Sequence, residues 1–128
     1  MSRDHRKLSV FQEADRLIAP TYGATQGFPA EERFGLQSQI RRAALSVPTN
    51  LVEGCARHSE SEFRQFVSIA VGSAAEVAYL FEVSARLGYL GSDHPLLSDW
   101  ANLVPALKNL HMVLNGSNAS HTKPRTKD

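Results

Sequence analysis

The stretch from Ser59 to Gly88, SESEFRQFVSIAVGSAAEVAYLFEVSARLG, decides the fold class. Ser59 followed by Glu62 is the capping-box pattern that begins a helix, and Gly88 is typical of a helix end. Between them, apolar residues recur at spacings of three and four, which indicates a helix. We expect about thirty residues to form a rod of roughly 45 Å. The small side chains around Gly72 and Ser73 predict a position where a neighbouring helix approaches closely.

Three further helices are predicted on either side of this one, because the same apolar spacing continues and no segment alternates as a strand does. Their predicted ranges are 8–25, 31–56 and 95–115. Pro20, Pro48 and Pro105 fall inside them, and a proline inside a helix removes an N–H donor and predicts a kink. Four helices with short connections predict an all-α, up-down-up-down antiparallel four-helix bundle.

The 128 residues suit one compact domain. We expect a basic N-terminal arm over 1–7, the bundle over 8–115 and a flexible basic tail over 116–128. Asn115 and Gly116 are typical of a helix end, and the tail lacks the apolar residues that would offset the entropy lost on ordering. The helix over 59–88 carries more apolar surface than one small bundle needs to bury, which predicts self-association.

Charge and cysteine content exclude several classes of protein. Fourteen Lys and Arg against thirteen Asp and Glu leave a net charge of +1, so any nucleic-acid binding must depend on how the charges are distributed. Cys55 is the single cysteine, which excludes an internal disulfide. The longest uncharged apolar run, Gln65 to Ala75, is shorter than the roughly 18 to 20 residues of a membrane span. We expect a cytoplasmic protein with no membrane segment.

Enzyme chemistry finds little support in the residues. No glutamate is followed by histidine at the Glu-x-x-His spacing of a di-iron bundle, and the five histidines are scattered over separate segments. No strand-turn-helix pattern presents a nucleophilic serine. The sequence therefore predicts no enzyme, no metal site, no cofactor and no small-molecule substrate.

Polar residues on the second helix allow two interpretations. In the structural one, Glu53 pairs with Arg57 or a neighbouring arginine, and Asn50 satisfies the backbone opened by Pro48. The positions assigned to this structural motif are Gln39, Pro48, Asn50, Glu53, Gly54, Gly72 and Ser73. In the functional one, several copies of the chain repeat a basic rim that binds phosphates in a salt-dependent way. The rim residues are Arg33, Arg41, Arg42, Arg57 and Arg64.

The run ERFGLQSQIRRAALSVPTNLVEG over 32–54 closely resembles the signature of the bacterial proteins encoded in intervening sequences of 23S ribosomal RNA genes. Further matches are LSVFQEA over 8–14, SEFRQF over 61–66, IAVGSAAE over 69–76 and LGYL over 87–90. The resemblance implies a left-handed four-helix bundle assembled as a homopentamer. It also implies similarity to the accessory protein of diversity-generating retroelements, which engages nucleic acid and a reverse transcriptase.

Two functions follow from the resemblance and the arginines together. The first is a non-enzymatic oligomeric scaffold that binds RNA or DNA, or belongs to a ribonucleoprotein, through its basic rim. The second is an adaptor that docks a partner protein such as a polymerase or reverse transcriptase.

Overall fold

The computed structural model describes the backbone over residues 2–122 and the side chains over 2–115. Within that range the chain is helical and has no strand, which confirms the predicted all-α class and a helical bundle. The α-helices are α1 (Ser9–Arg16), α2 (Ile18–Gln26), α3 (Leu36–Cys55), α4 (Glu60–Arg86) and α5 (Pro95–Thr122). Two short 3-10 helices, His5–Lys7 and Ala30–Glu32, precede α1 and α3.

The first predicted helix is divided into α1 and α2 at Leu17. The cause is Pro20, which has no N–H to donate to the carbonyl of Arg16, four residues earlier. Thr21, the next residue, resumes the helical pattern by donating its N–H to the carbonyl of Leu17 at 3.0 Å. The proline therefore disrupts the helix as predicted, but the break lies three residues before it.

Pro48 lies inside α3 and is buried. We predicted that a nearby polar side chain satisfies the backbone there. Asn50 does so, since its Nδ2 donates to the carbonyl of Ser46 at 2.7 Å and to Ser46 Oγ at 2.9 Å. The acceptor is the carbonyl of Ser46 rather than that of Ala44, which we had expected. Ser46 Oγ also lies 2.8 Å from Ser73 Oγ, so this polar group joins α3 to α4.

The closest approach of α3 and α4 lies at Gly54. A Cβ built on Gly54 would lie 2.8 Å from Cβ of Phe66 and 3.1 Å from Cδ1 of Phe63. A Cβ on Gly72 would meet no other heavy atom within 4 Å. The predicted close approach at Gly72 is therefore wrong within the described chain, because Gly72 lies on the exposed side of α4.

The boundaries of α4 agree with the sequence. The side chain of Ser59 accepts the backbone N–H of Glu62 at 3.1 Å, which is the predicted cap. At the other end, Gly88 has a φ of 82°, a left-handed conformation that suits glycine.

The predicted end of the last helix at Asn115 and Gly116 is wrong. α5 begins at Pro95 as expected, but it continues past both residues to Thr122. One glycine inside a helix costs only about 1 kcal/mol, and a helix that has already formed extends cooperatively. The rest of the predicted tail, residues 123–128, lies outside the described part of the chain.

The core lies between α4, α5 and the two N-terminal helices. Its largest fully buried side chains are Trp100, Phe63, Phe81, Leu17, Ile40, Leu51 and Leu107. Trp100 also donates its Nε1–H to Oγ1 of Thr21 at 2.9 Å, which links α5 to α2. Cys55 is buried, as expected for a small apolar residue, and burial raises the pKa of its thiol. Leu36 and Phe66, which we expected in the core, are only partly buried.

The N-terminal segment is attached to the bundle at Arg3. Its backbone N–H donates to the carbonyl of Cys55 at 2.7 Å. Its guanidinium pairs with Glu60 and lies 4.4 Å from the ring centroid of Phe63. Arg3 is therefore held between the end of α3 and the start of α4.

Candidate nucleic-acid interface

The five arginines predicted to form a basic rim are distributed along the bundle. Arg33 precedes the start of α3 and Arg57 follows its end. A helix of 20 residues is about 30 Å long, so these two arginines lie at opposite ends of α3. The structure does not bring all five side chains of one copy to a single patch.

Arg41 is directed toward α2. Its Nε donates to Oγ1 of the buried Thr25 at 2.8 Å, and its Nη2 donates to the carbonyl of Tyr22 at 3.0 Å. The guanidinium carbon lies 4.5 Å from the centroid of the Tyr22 ring, a cation–π contact. Arg41 therefore holds the end of α2 against α3, in addition to any role toward a ligand.

We expect Arg41→Gln to lower the free energy of unfolding by about 1.5–3 kcal/mol, because hydrogen bonds from a charged donor to partly buried acceptors are lost. Arg42→Gln is the matched control. It removes the same charge one residue later, from an exposed side chain, and should change stability by less than about 0.5 kcal/mol. Urea unfolding followed by circular dichroism measures both. Equal effects of the two substitutions would contradict this structural role of Arg41.

Arg42 and Arg57 are exposed and each lies near one carboxylate. Arg42 Nη2 is 3.6 Å from Glu76, and Arg57 Nη2 is 3.7 Å from Glu53, which confirms the predicted pairing of Glu53 with Arg57. Arg57 also lies 4.9 Å from the ring centroid of Phe66. Exposed ion pairs of this kind contribute about 0–1 kcal/mol. A phosphate can therefore compete for either guanidinium at little cost.

Arg33 and Arg64 differ from the other three. The Arg33 side chain is exposed and makes no hydrogen bond or ion pair with the residues that the structure describes. Arg64 is half-buried, and its Nη1 is buried without a hydrogen-bond partner in the described part of the chain. Arg33 is thus fully available to an anion.

A second candidate surface is the outer face of α4, formed by Ile69, Gly72, Glu76 and Tyr79. These residues follow one another at spacings of three or four and so share one side of the helix. Ile69 is 50% exposed and Tyr79 is 57% exposed. The chain itself leaves this partly apolar face uncovered.

By length and composition, α4 is the one described helix that could cross a membrane, although only 28% of its most apolar 18-residue window is buried. This differs from our expectation, which counted an uninterrupted uncharged run, whereas a spanning window tolerates two charges. A core helix of a bundle passes the same test, and Phe63, Ala70 and Phe81 of α4 lie in the core.

Sequence reasoning missed Gln37, which works together with Arg41. Its Nε2 donates to the carbonyl of Thr25 at 2.8 Å. The spacing of four residues between Gln37 and Arg41, which places both on one side of a helix, was the available signal. Among the described residues, no group of three or more His, Cys, Asp or Glu side chains is arranged to hold a metal ion.

Comparisons with known proteins link the chain to one family. A family model described as "23S rRNA-intervening sequence protein" matches residues 6–108, which is most of the chain. A comparison with curated proteins gave no match.

Proposed function

The chain belongs to the 23S rRNA-intervening sequence protein family, and we propose that it is a non-enzymatic scaffold whose copies associate through the outer face of α4 and together bind RNA. The observation that carries the proposal is this exposed, partly apolar face, because a contiguous apolar surface on a helical protein marks an interaction site.

A second copy of the chain suits this face for two reasons. Gly72 lies at its centre and has no neighbouring atom within 4 Å of a built Cβ, so another helix can approach closely there. At its edge, Arg42 and Glu76 present opposite charges side by side. The same patch on a second copy presents the same two charges, which makes the surface self-complementary.

The proposal includes the finer architecture. Gly54 lies beside Phe66, Ser46 beside Ser73, and Arg42 beside Glu76. The residue number falls along α3 as it rises along α4, which supports antiparallel neighbours and an up-down-up-down order. The family resemblance implies five copies in each assembly.

RNA binding depends on repetition, because one copy has a net charge of only +1. Arg42 lies at the edge of the outer face of α4, and Arg57 lies at the end of the same groove between α3 and α4. Copies that meet through α4 would bring these arginines close to one another and produce a local positive potential. Binding of this kind is directed at phosphates and weakens as salt rises.

Ile69→Asp should convert the assembly into single chains, because it places a charge in the centre of the proposed contact. The structure leaves Ile69 half exposed, so the fold itself should tolerate the change. Multi-angle light scattering measures the mass. Met112→Asp is the control, since Met112 is 65% exposed on α5. A monomeric wild-type chain, or an Ile69→Asp assembly of unchanged mass, would overturn the proposal.

For RNA, we expect a gel shift with a structured ribosomal RNA fragment at low salt. Replacing both Arg42 and Arg57 with glutamine should weaken it and reduce the slope of log affinity against log salt by about two, since each phosphate contact contributes about one. Arg16→Gln is the control, because Arg16 pairs with Glu13 and Asp99 on another side of the bundle. No shift at low salt, or an unchanged slope, would contradict RNA binding by these arginines.

The alternative function is a protein adaptor, which the same apolar face of α4 favours. A polymerase or reverse transcriptase would then occupy the face. Capture of such a partner that survives nuclease treatment and is unaffected by Arg42→Gln, but is lost with Ile69→Asp, would favour the adaptor.

A further inference from the structure

A cavity of about 370 Å³ lies where α2 ends and α3 begins. Its polar lining includes Gln26 from the end of α2, Arg33 from the connection, and Gln37 and Arg41 from the first turns of α3. Phe28 and Pro29 form an apolar wall. Cavities of roughly 300 Å³ and more are large enough for small ligands.

The charge of this cavity is one-sided. Two guanidinium groups line it, and no lining residue is acidic. Glu32, the nearest carboxylate in the connection that makes hydrogen bonds, is directed elsewhere. It accepts the hydroxyl of Tyr89 and the backbone N–H of Leu36, both at 3.0 Å. The cleft between α1 and α5 differs, since Glu13 and Asp99 line it.

The two arginines differ in mobility and so have complementary roles. Arg41 is fixed by its hydrogen bonds to Thr25 and Tyr22, which pre-position its guanidinium at the cavity. Arg33 is exposed and has no side-chain partner among the described residues, so it can close onto a ligand. Guanidinium groups bind phosphate oxygens through paired, charge-assisted hydrogen bonds. The N-terminal turn of α3 adds partial positive charge at the same place.

We propose that this cavity binds the phosphate group of a nucleotide, with Arg33 and Arg41 as the phosphate ligands and the amides of Gln26 and Gln37 as hydrogen-bonding groups for the rest of the molecule. The phosphate comes from a free mononucleotide or from the 5′ end of an RNA. The inference deepens the proposed RNA binding and rests on it only in assigning the phosphate to a nucleotide. It does not require the copies to associate.

Isothermal titration calorimetry of the full chain at low ionic strength tests the site, with AMP and adenosine as probes. We expect AMP to bind and adenosine to give no binding. Arg33→Gln should weaken AMP binding about tenfold or more, which corresponds to the loss of one charge-assisted contact. Arg33 makes no contact within the described bundle that its replacement would remove, so this variant should fold normally.

Lys108→Gln is the matched control, because it removes one exposed charge from the middle of α5, away from the cavity. It should bind AMP as the wild-type chain does. Equal binding of AMP and adenosine, no effect of Arg33→Gln, or an equal loss with Lys108→Gln would each overturn the site.

RNAs of one sequence with a 5′ phosphate or a 5′ hydroxyl distinguish the two sources of phosphate. A preference for the phosphorylated RNA that disappears in Arg33→Gln assigns the site to RNA ends, and AMP binding without that preference assigns it to free nucleotides. RNA that binds while AMP does not would refute the cavity and leave the proposed function intact. AMP that binds in an Arg33-dependent way while RNA does not would refute the proposed function alone.

Discussion

Trp100→Ala is expected to lower the free energy of unfolding by about 3–5 kcal/mol, which is the usual cost of truncating a large buried aromatic residue. Trp100 is fully buried and has the largest side chain in the core. Small domains have a total stability of about 5–15 kcal/mol, so this one change removes a large share. Urea unfolding measures the effect, and a loss below about 1 kcal/mol would show that the residue is peripheral.

The hydrogen bond of Trp100 can be separated from its packing with Thr21→Val. This change preserves shape but removes the acceptor of the indole N–H, which lies 2.9 Å away. An unsatisfied buried donor costs about 1–3 kcal/mol. In the Trp100→Phe background no indole N–H is present, so the added cost of Thr21→Val should be smaller. Equal costs of Thr21→Val in both backgrounds would show that the hydrogen bond contributes nothing.

Gly54→Ala is expected to destabilise the bundle by about 1–3 kcal/mol through overpacking, although alanine favours a helix over glycine by up to about 1 kcal/mol. The built Cβ lies 2.8 Å from Cβ of Phe66. That atom is attached directly to the backbone of α4, so it cannot move unless the helix moves. The two helices must therefore separate, which weakens the packing of Phe63 and Phe66 against α3.

Gly23→Ala is the control for Gly54→Ala. Gly23 lies inside α2, and a Cβ there would meet no heavy atom within 4 Å. The substitution should stabilise the chain by about 0.5–1 kcal/mol, because only helix propensity and unfolded-state entropy change. Opposite signs for the two substitutions are the expected result of thermal or urea unfolding. Stabilisation by both would contradict the close approach of α4 to Gly54.

The helices were predictable where local chemistry decides them. The hydroxyl of Ser59 caps α4, and Gly88 takes a left-handed conformation, so both ends of α4 follow from single residues. The break at Leu17 also has a local cause, the missing N–H of Pro20. The extension of α5 through Gly116 could not be predicted in this way, because cooperative helix growth outweighs one weak helix former.

The basic site was less predictable, and Arg41 and Arg42 show why. They are identical in chemistry and adjacent in sequence, yet one donates to α2 and the other lies beside Glu76 of α4. Successive residues on a helix point about 100° apart, so the direction of each depends on which helices lie on either side. The joint cavity of Arg33 and Arg41 has the same origin, since the turn between α2 and α3 brings Gln26 into it.

By itself, the sequence determined that this chain is a helical bundle of the 23S rRNA-intervening sequence family, because helix periodicity, caps and prolines act over a few residues. The tertiary structure alone decided that Gly54, not Gly72, is the close contact within the chain, and that Arg41 is fixed against α2. These outcomes depend on which side chains from distant segments meet, and packing between helices sets that geometry.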